Sequence, residues 1–191
     1  MGRVLTLAEL RSEVASRRVA GERIVLTNGI FDLLHLGHIT YLQQARALGD
    51  ALVVALNSDD SARRLKGPRR PIVPAEERAY AVAALGCVEY AMIFEESTAE
   101  RVVATLQPAV YVKGGDYAGS SNGAAHTFSG DGLRAAILDE GLGERLPEAR
   151  IVEQFGGTVA LLPYLPDHST TRLIERIVAL YGAPASGSES R

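Results

Sequence analysis

The feature that most constrains this chain is a repeated alternation between short uninterrupted apolar runs and stretches whose apolar residues recur three or four positions apart. Residues 24–27 and 52–56 are two such runs, and between them Ile39, Leu42, Ala45 and Leu48 follow a helical period that Gly49 ends. A strand that is apolar at every position buries both of its faces, which is the condition of a parallel sheet covered by helices. The rhythm continues with a helix over 75–85, a strand at 90–94, a helix opened by a capping box from Ser97 to Glu100, and strands at 110–113 and 158–162. Thr6 and Glu9 form another capping box, before Leu7, Leu10 and Val14. At the far end Leu173, Ile174, Ile177, Val178 and Leu180 mark an amphipathic helix over 169–181. The sum predicts a doubly wound α/β sheet in one domain spanning 1–181. Residues 118–130 read as a loop, 133–138 as a short helix and 182–191 as a disordered polar tail.

Composition narrows the function classes. An apolar fraction of 47% suffices for a continuous core, and a net charge of -3 argues against a general nucleic-acid or anionic-membrane binder. No apolar run approaches the ~20 residues that cross a bilayer, and residues 1–23 interleave charges with apolar positions where a secretory signal has none. A cytoplasmic location is expected. The single cysteine, Cys87, lies in an apolar stretch and reads as a buried small hydrophobe rather than an activated thiol.

In doubly wound sheets ligands sit beyond the carboxyl ends of the strands. The first loop there runs Asn28, Gly29, Ile30, Phe31, Asp32, Leu33, Leu34, His35, Leu36, Gly37, His38. Two imidazoles three residues apart at a helix start can face one anion that the helix dipole already favours, and phosphate is the obvious anion. Gly37 leaves room for a nucleotide between them, and Gly29 permits a tight exit from the strand. The same pair also fits an N-cap with a packed ring, or two metal ligands, for which only His126 and His168 remain as histidine partners. There is no phosphate loop of the G-x-x-x-x-G-K-[ST] type.

Gly29, Phe31, Asp32, His35, Gly37 and His38 resemble the G-x-F-D-x-x-H-x-G-H signature of the cytidylyltransferase-like nucleotidyltransferases, a Rossmann-like fold of the paired-histidine type. Three further segments are similar to one branch, the bacterial D-glycero-β-D-manno-heptose 1-phosphate adenylyltransferases. They are Lys66, Gly67, Pro68, Arg70, Pro71 and Ile72; then Glu77 and Arg78; then Val112, Lys113, Gly114, Gly115, Asp116 and Tyr117. The resemblance implies transfer of AMP from ATP to a heptose 1-phosphate, with ADP-heptose and pyrophosphate as products, Mg²⁺ accompanying ATP, and a homodimer. It makes His35, His38 and Lys66 the catalytic residues. It assigns Asn28, Gly29, Ile30, Phe31, Gly37, Asn57, Lys113, Gly115, Asp116, Ser169 and Thr170 to the nucleotide, and Asp32 and Arg78 to the acceptor.

Several of these assignments have equally physical alternatives. Asp32 fits a Mg²⁺ contact or a turn cap, and Asp116 a metal or hydroxyl contact. Asn57 with Ser58 fits a pocket wall or a helix cap, and Ser169 with Thr170 fits an N-cap or a site for the β and γ phosphates. Within the basic run of Arg63, Arg64, Lys66, Arg69 and Arg70, Lys66 beside Gly67 and Pro68 is the ligand candidate, while Arg63 and Arg69 are solvated charges. Residues 118–154 depart from the family pattern and read as an insertion serving as a lid, a dimer contact or a surface loop. A glycerol 3-phosphate or ethanolamine phosphate cytidylyltransferase, an FMN adenylyltransferase, and a non-catalytic nucleotide-binding module are the rival readings.

Overall fold

The computed structural model describes residues 1–114, 126–131, 142–163 and 165–182. Among these residues seven strands form one sheet in the order β1-β4-β3-β2-β5-β7-β6: β1 (Arg3–Val4), β2 (Ile24–Gly29), β3 (Ala51–Asn57), β4 (Tyr90–Phe94), β5 (Val110–Gly114), β6 (His126–Phe128) and β7 (Thr158–Leu162). Every pairing is parallel except β6 against β7. The helices are α1 (Leu7–Val19), α2 (Leu36–Arg46), α3 (Asp59–Lys66), α4 (Ala75–Ala83), α5 (Glu100–Leu106), α6 (Leu142–Arg145), α7 (Glu148–Gln154) and α8 (Thr170–Tyr181).

The alternation of side chains along each strand divides the apolar residues between two cores. In β3, Ala51, Val53 and Ala55 join the core under α1, α5, α6 and α7, while Leu52, Val54 and Leu56 join the one under α2 and α4. Each fully buried Leu or Val contributes about 1.5–3 kcal/mol, so the uninterrupted apolar strands require cover on both faces. No helix among the described residues is long and apolar enough to cross a membrane.

Sequence and structure part at identifiable places. The Thr6–Glu9 capping box is present. The one expected from Ser97 is not: α5 starts after Ala99, whose backbone N–H donates to Glu148 Oε1 at 2.7 Å, so a buried carboxylate from α7 serves the helix end. Residues 142–154, expected as part of an insertion serving as a lid, a dimer contact or a surface loop, bury Leu142, Leu146, Ala149 and Val152 beside α5. Residues 126–128, expected in a loop, pair with β7. The short helix expected over 133–138 and the tail beyond 182 lie outside the described residues. Helix α8 forms where its period predicts, yet none of its residues is buried and Ile177, Val178, Leu180 and Tyr181 are exposed.

Candidate active site

Strand order reverses beside β2: β3 and β4 follow on one side, β5 and β7 on the other. The carboxyl ends of β2 and β5 therefore border the crevice in which open α/β sheets bind ligands. Polar side chains tie the two strands there. Asn28 Oδ1 accepts from Tyr111 Oη at 2.7 Å and from Lys113 Nζ at 3.0 Å, and buried Thr27 donates to the Val112 carbonyl at 2.9 Å while bonding Tyr41 Oη at 2.7 Å. Lys113 is thus held at the crevice through Asn28, two of the expected nucleotide residues in direct contact.

The loop leaving β2 is strained where the histidines need placing. Phe31 and Leu33 take positive φ values of 51° and 48°, a region that L side chains rarely adopt. The buried Phe31 ring lies over Gly29, where any Cβ would stand 3.0 Å from it, and its centroid is 5.5 Å from that of His38. His35 is the N-cap residue of α2 with extended backbone and makes no capping bond, so its ring is free to face elsewhere. That ring stacks on His38, centroids 3.9 Å apart and planes 26° apart. A Cβ on Gly37 would come within 2.9 Å of the His35 ring and 3.0 Å of His168, which is the physical reason for glycine there.

Neither Nδ1 of the stacked pair has a hydrogen-bond partner among the described residues, although both atoms are shielded from solvent. Burial holds the pKa of His38 down at about 4, helped by its neighbour His35 and opposed by the carboxylate of Asp32. Burial, and then the charge of His168, lowers that of His35. Both rings are therefore neutral at pH 7, each with one N–H to donate and one nitrogen to accept.

Asp32, expected at the acceptor or a metal, anchors the loop. It is 4% exposed, and its two carboxylate oxygens accept from Arg70 Nη1, the Ile72 amide and the Val73 amide, each at 3.0 Å. Its backbone carbonyl accepts from Thr170 Oγ1 at 2.9 Å. Arg78, expected at the acceptor, is 1% exposed. Its guanidinium donates to the Ile30 carbonyl, to the carbonyls of Val73 at 2.8 Å and Asn57 at 2.9 Å, and to Asp59 at 2.8 Å. Asn57, expected at the nucleotide, is 2% exposed and directs its amide to Ser61 Oγ at 2.9 Å, while Ser58 caps α3. The polar groups of these three residues bond within the protein and shape the loop.

Lys66 stands exposed in the last turn of α3 with no ion pair or hydrogen bond among the described residues, whereas Arg63 pairs with Asp60. Ser169 caps α8, accepting from the Arg172 amide at 3.2 Å, a geometry compatible with an anion site at the same helix start, and Thr170 Oγ1 donates to the Asp32 carbonyl. Gly115 and Asp116 lie outside the described residues. Among the described residues no group of three or more acidic, histidine or cysteine side chains could hold a metal, and the carboxylate of Asp32 already accepts three hydrogen bonds. A cavity of about 280 Å³ opens at the opposite edge of the sheet, lined by residues such as Arg18, Gln107, Phe155 and Gly157. It belongs to the amino ends of the strands, where doubly wound sheets do not bind ligands. His168, which sequence reasoning weighed only as a metal partner, stands against Gly37. Its position next to the Ser169 helix start was the available signal.

The family model for cytidylyltransferase-like proteins matches residues 26–176. The "Bifunctional protein HldE" of Geobacter sulfurreducens is 43% identical over 180 residues, covering 94% of this chain and 32% of that protein. The protein of the same name from Syntrophotalea carbinolica is 44% identical over 172 residues, covering 90% and 30%. The chain thus spans about a third of the length of the curated relatives it matches. Among solved structures, the lipopolysaccharide core biosynthesis protein of Thermoplasma volcanium superposes with a TM-score of 0.51 at 26% identity, covering 76% of this chain and 98% of that one.

Proposed function

Since the chain belongs to the cytidylyltransferase-like family, we propose that it transfers AMP from ATP to a sugar 1-phosphate, D-glycero-β-D-manno-heptose 1-phosphate, giving ADP-heptose and pyrophosphate. One observation carries the reading: two stacked, neutral imidazoles with unpartnered nitrogens at the amino end of α2, beside the switch point of the sheet. Buried polar atoms without partners are rare, and a phosphate group would supply what these lack.

In this reaction an oxygen of the sugar phosphate attacks the α-phosphorus in line, and the bond to the bridging oxygen of the departing pyrophosphate breaks. Both reactants are anions, so the protein's task is to position them and to offset charge. His35 and His38 donate to phosphate oxygens on which charge develops, each worth about 3 kcal/mol as a preorganised donor. An arriving triphosphate favours the charged imidazole, so binding is coupled to proton uptake by the pair. Lys113, steered by Asn28, and the exposed Lys66 supply further positive charge near the polyphosphate. Mg²⁺ travelling with ATP, a cytoplasmic location and a homodimer complete the proposal.

A panel of ATP and CTP against heptose 1-phosphate, glycerol 3-phosphate, ethanolamine phosphate and FMN, read by pyrophosphate release, tests it. ATP with the heptose phosphate is expected to give the highest kcat/KM. Turnover with another pair overturns the acceptor, and ATP binding without pyrophosphate release from any pair overturns catalysis.

A further inference from the structure

Of the twenty lysines and arginines in this chain, two are lysines, Lys66 and Lys113. Lys66 is exposed at the end of α3, whereas Lys113 is half-buried and tied to the sheet. A lysine stem is long and flexible, so its ammonium keeps one place only where a fixed acceptor holds it. One such acceptor is Asn28 Oδ1, 3.0 Å from Lys113 Nζ.

That oxygen is itself held by Tyr111, a side chain with no exposed surface, whose hydroxyl donates to it at 2.7 Å. Side chains two apart on a strand leave the same face, so Tyr111 and Lys113 rise together from β5 and meet Asn28 on the neighbouring β2. A tyrosine has only two side-chain torsions, and the core packed around its ring fixes both. Tyr111 therefore sets where Oδ1 lies, and Oδ1 sets where the ammonium lies. Turning the Asn28 amide over would put its NH₂ group against an ammonium that can only donate, so the carboxamide has one orientation. Tyr111 belongs to the core under α1, α5, α6 and α7, while Tyr41 of α2 belongs to the other. The histidine pair thus comes to the crevice with the helix on one face of the sheet, and Lys113 is held from the opposite face.

The reaction proposed above uses Lys113 and Asn28 and gives Tyr111 no part. Building on that reading, we infer that Tyr111 is a positioning residue for nucleotidyl transfer, its hydroxyl holding the Lys113 ammonium in place for the polyphosphate of ATP through Asn28.

Amine acylation reads this hold directly, because a lysine must leave its acceptor and lose a proton before it attacks the reagent. The full chain and its Tyr111→Phe variant are treated with limiting N-acetoxysuccinimide, and acetylation of Lys113 relative to Lys66 is measured by peptide mass spectrometry. The same proteins are assayed for kcat/KM for ATP by pyrophosphate release and for Tm. Loss of one neutral hydrogen bond corresponds to about a fivefold change in an equilibrium. Tyr111→Phe is expected to raise the Lys113 to Lys66 ratio and to lower kcat/KM, each about fivefold, while Tm falls by less than about 5 °C. An unchanged ratio, or a raised ratio with unchanged kcat/KM, overturns the inference. A larger fall in Tm, or failure to fold, makes the hydroxyl a fold element and overturns it as well. Asn28→Ala, which removes the shared acceptor, is expected to raise the ratio too, and adding Tyr111→Phe to it should raise the ratio no further. A further rise in the double variant overturns the route through Asn28. Wild-type protein that releases no pyrophosphate overturns the proposed reaction, and the acetylation ratios then still decide whether Tyr111 holds Lys113.

Discussion

Two sets of polar side chains sit within one loop of this molecule, and they are treated in opposite ways. Asp32 and Arg78 are almost wholly enclosed and well bonded: three donors converge on the carboxylate, and four acceptors surround the guanidinium. His35 and His38, on the same loop and its following helix, keep shielded nitrogens without partners among the described residues. A buried polar atom left in that state costs about 1–3 kcal/mol. The first set holds the loop in its strained path, and the second leaves a deficit that a phosphate would relieve in the proposed reaction. On that proposal a shaping residue differs from a reacting one in whether its hydrogen-bonding capacity is already used.

The sharpest way to break this contrast is Arg78→Met. Removing one partner of a buried ion pair, together with the donors to three carbonyls, is expected to cost about 3–5 kcal/mol and to lower Tm by roughly 10 °C in a thermal melt. A variant that melts like the wild type and loses only activity would put Arg78 among the reacting residues. His38→Ala should do the reverse, lowering kcat about 10²–10³-fold while leaving Tm unchanged or slightly raised. Unfolding of that variant would make the ring a packing element.

A pH series sharpens the same point at smaller amplitude. The pKa of His38 is held at about 4 in the folded protein and returns toward 6.5 when the chain unfolds, so the unfolded state binds the extra proton between those values. Stability is therefore complete above about pH 6.5 and is lost as pH falls toward 4, by up to about 3 kcal/mol from this residue. Denaturant titrations at pH 7.5 and 5.0 should show a smaller drop for His38→Gln than for the wild type. The smallest contrast lies in the basic run: Lys66→Ala is expected to change KM for ATP or kcat about tenfold in steady-state assays, and Arg69→Ala less than about twofold.

Much of the fold was legible because a strand buried on both faces has no freedom in its pattern. The runs at 90–94 and 158–162 are strands at those bounds. Helix α3 was missed because Asp59 to Lys66 is almost entirely polar, with Ala62 and Ser61 alone buried, so it carries no apolar period. Strand β1 is too short to signal itself. In the site, the spacing of the histidines was informative because it fixes which way two side chains on one helix start can point. The motif could not tell whether Asp32 and Arg78 face a ligand or the backbone. Their partners, at Val73 and Ile30, lie 41 and 48 residues away in sequence. Such partners exist only after the sheet has brought the loops together.

The bond from Thr170 to the carbonyl of Asp32 spans 138 residues. A growing chain on the ribosome has made all the strands of its sheet before the helix that closes this loop is translated. A nascent chain halted before residue 170 therefore lacks the bond that fastens the loop after β2 to α8.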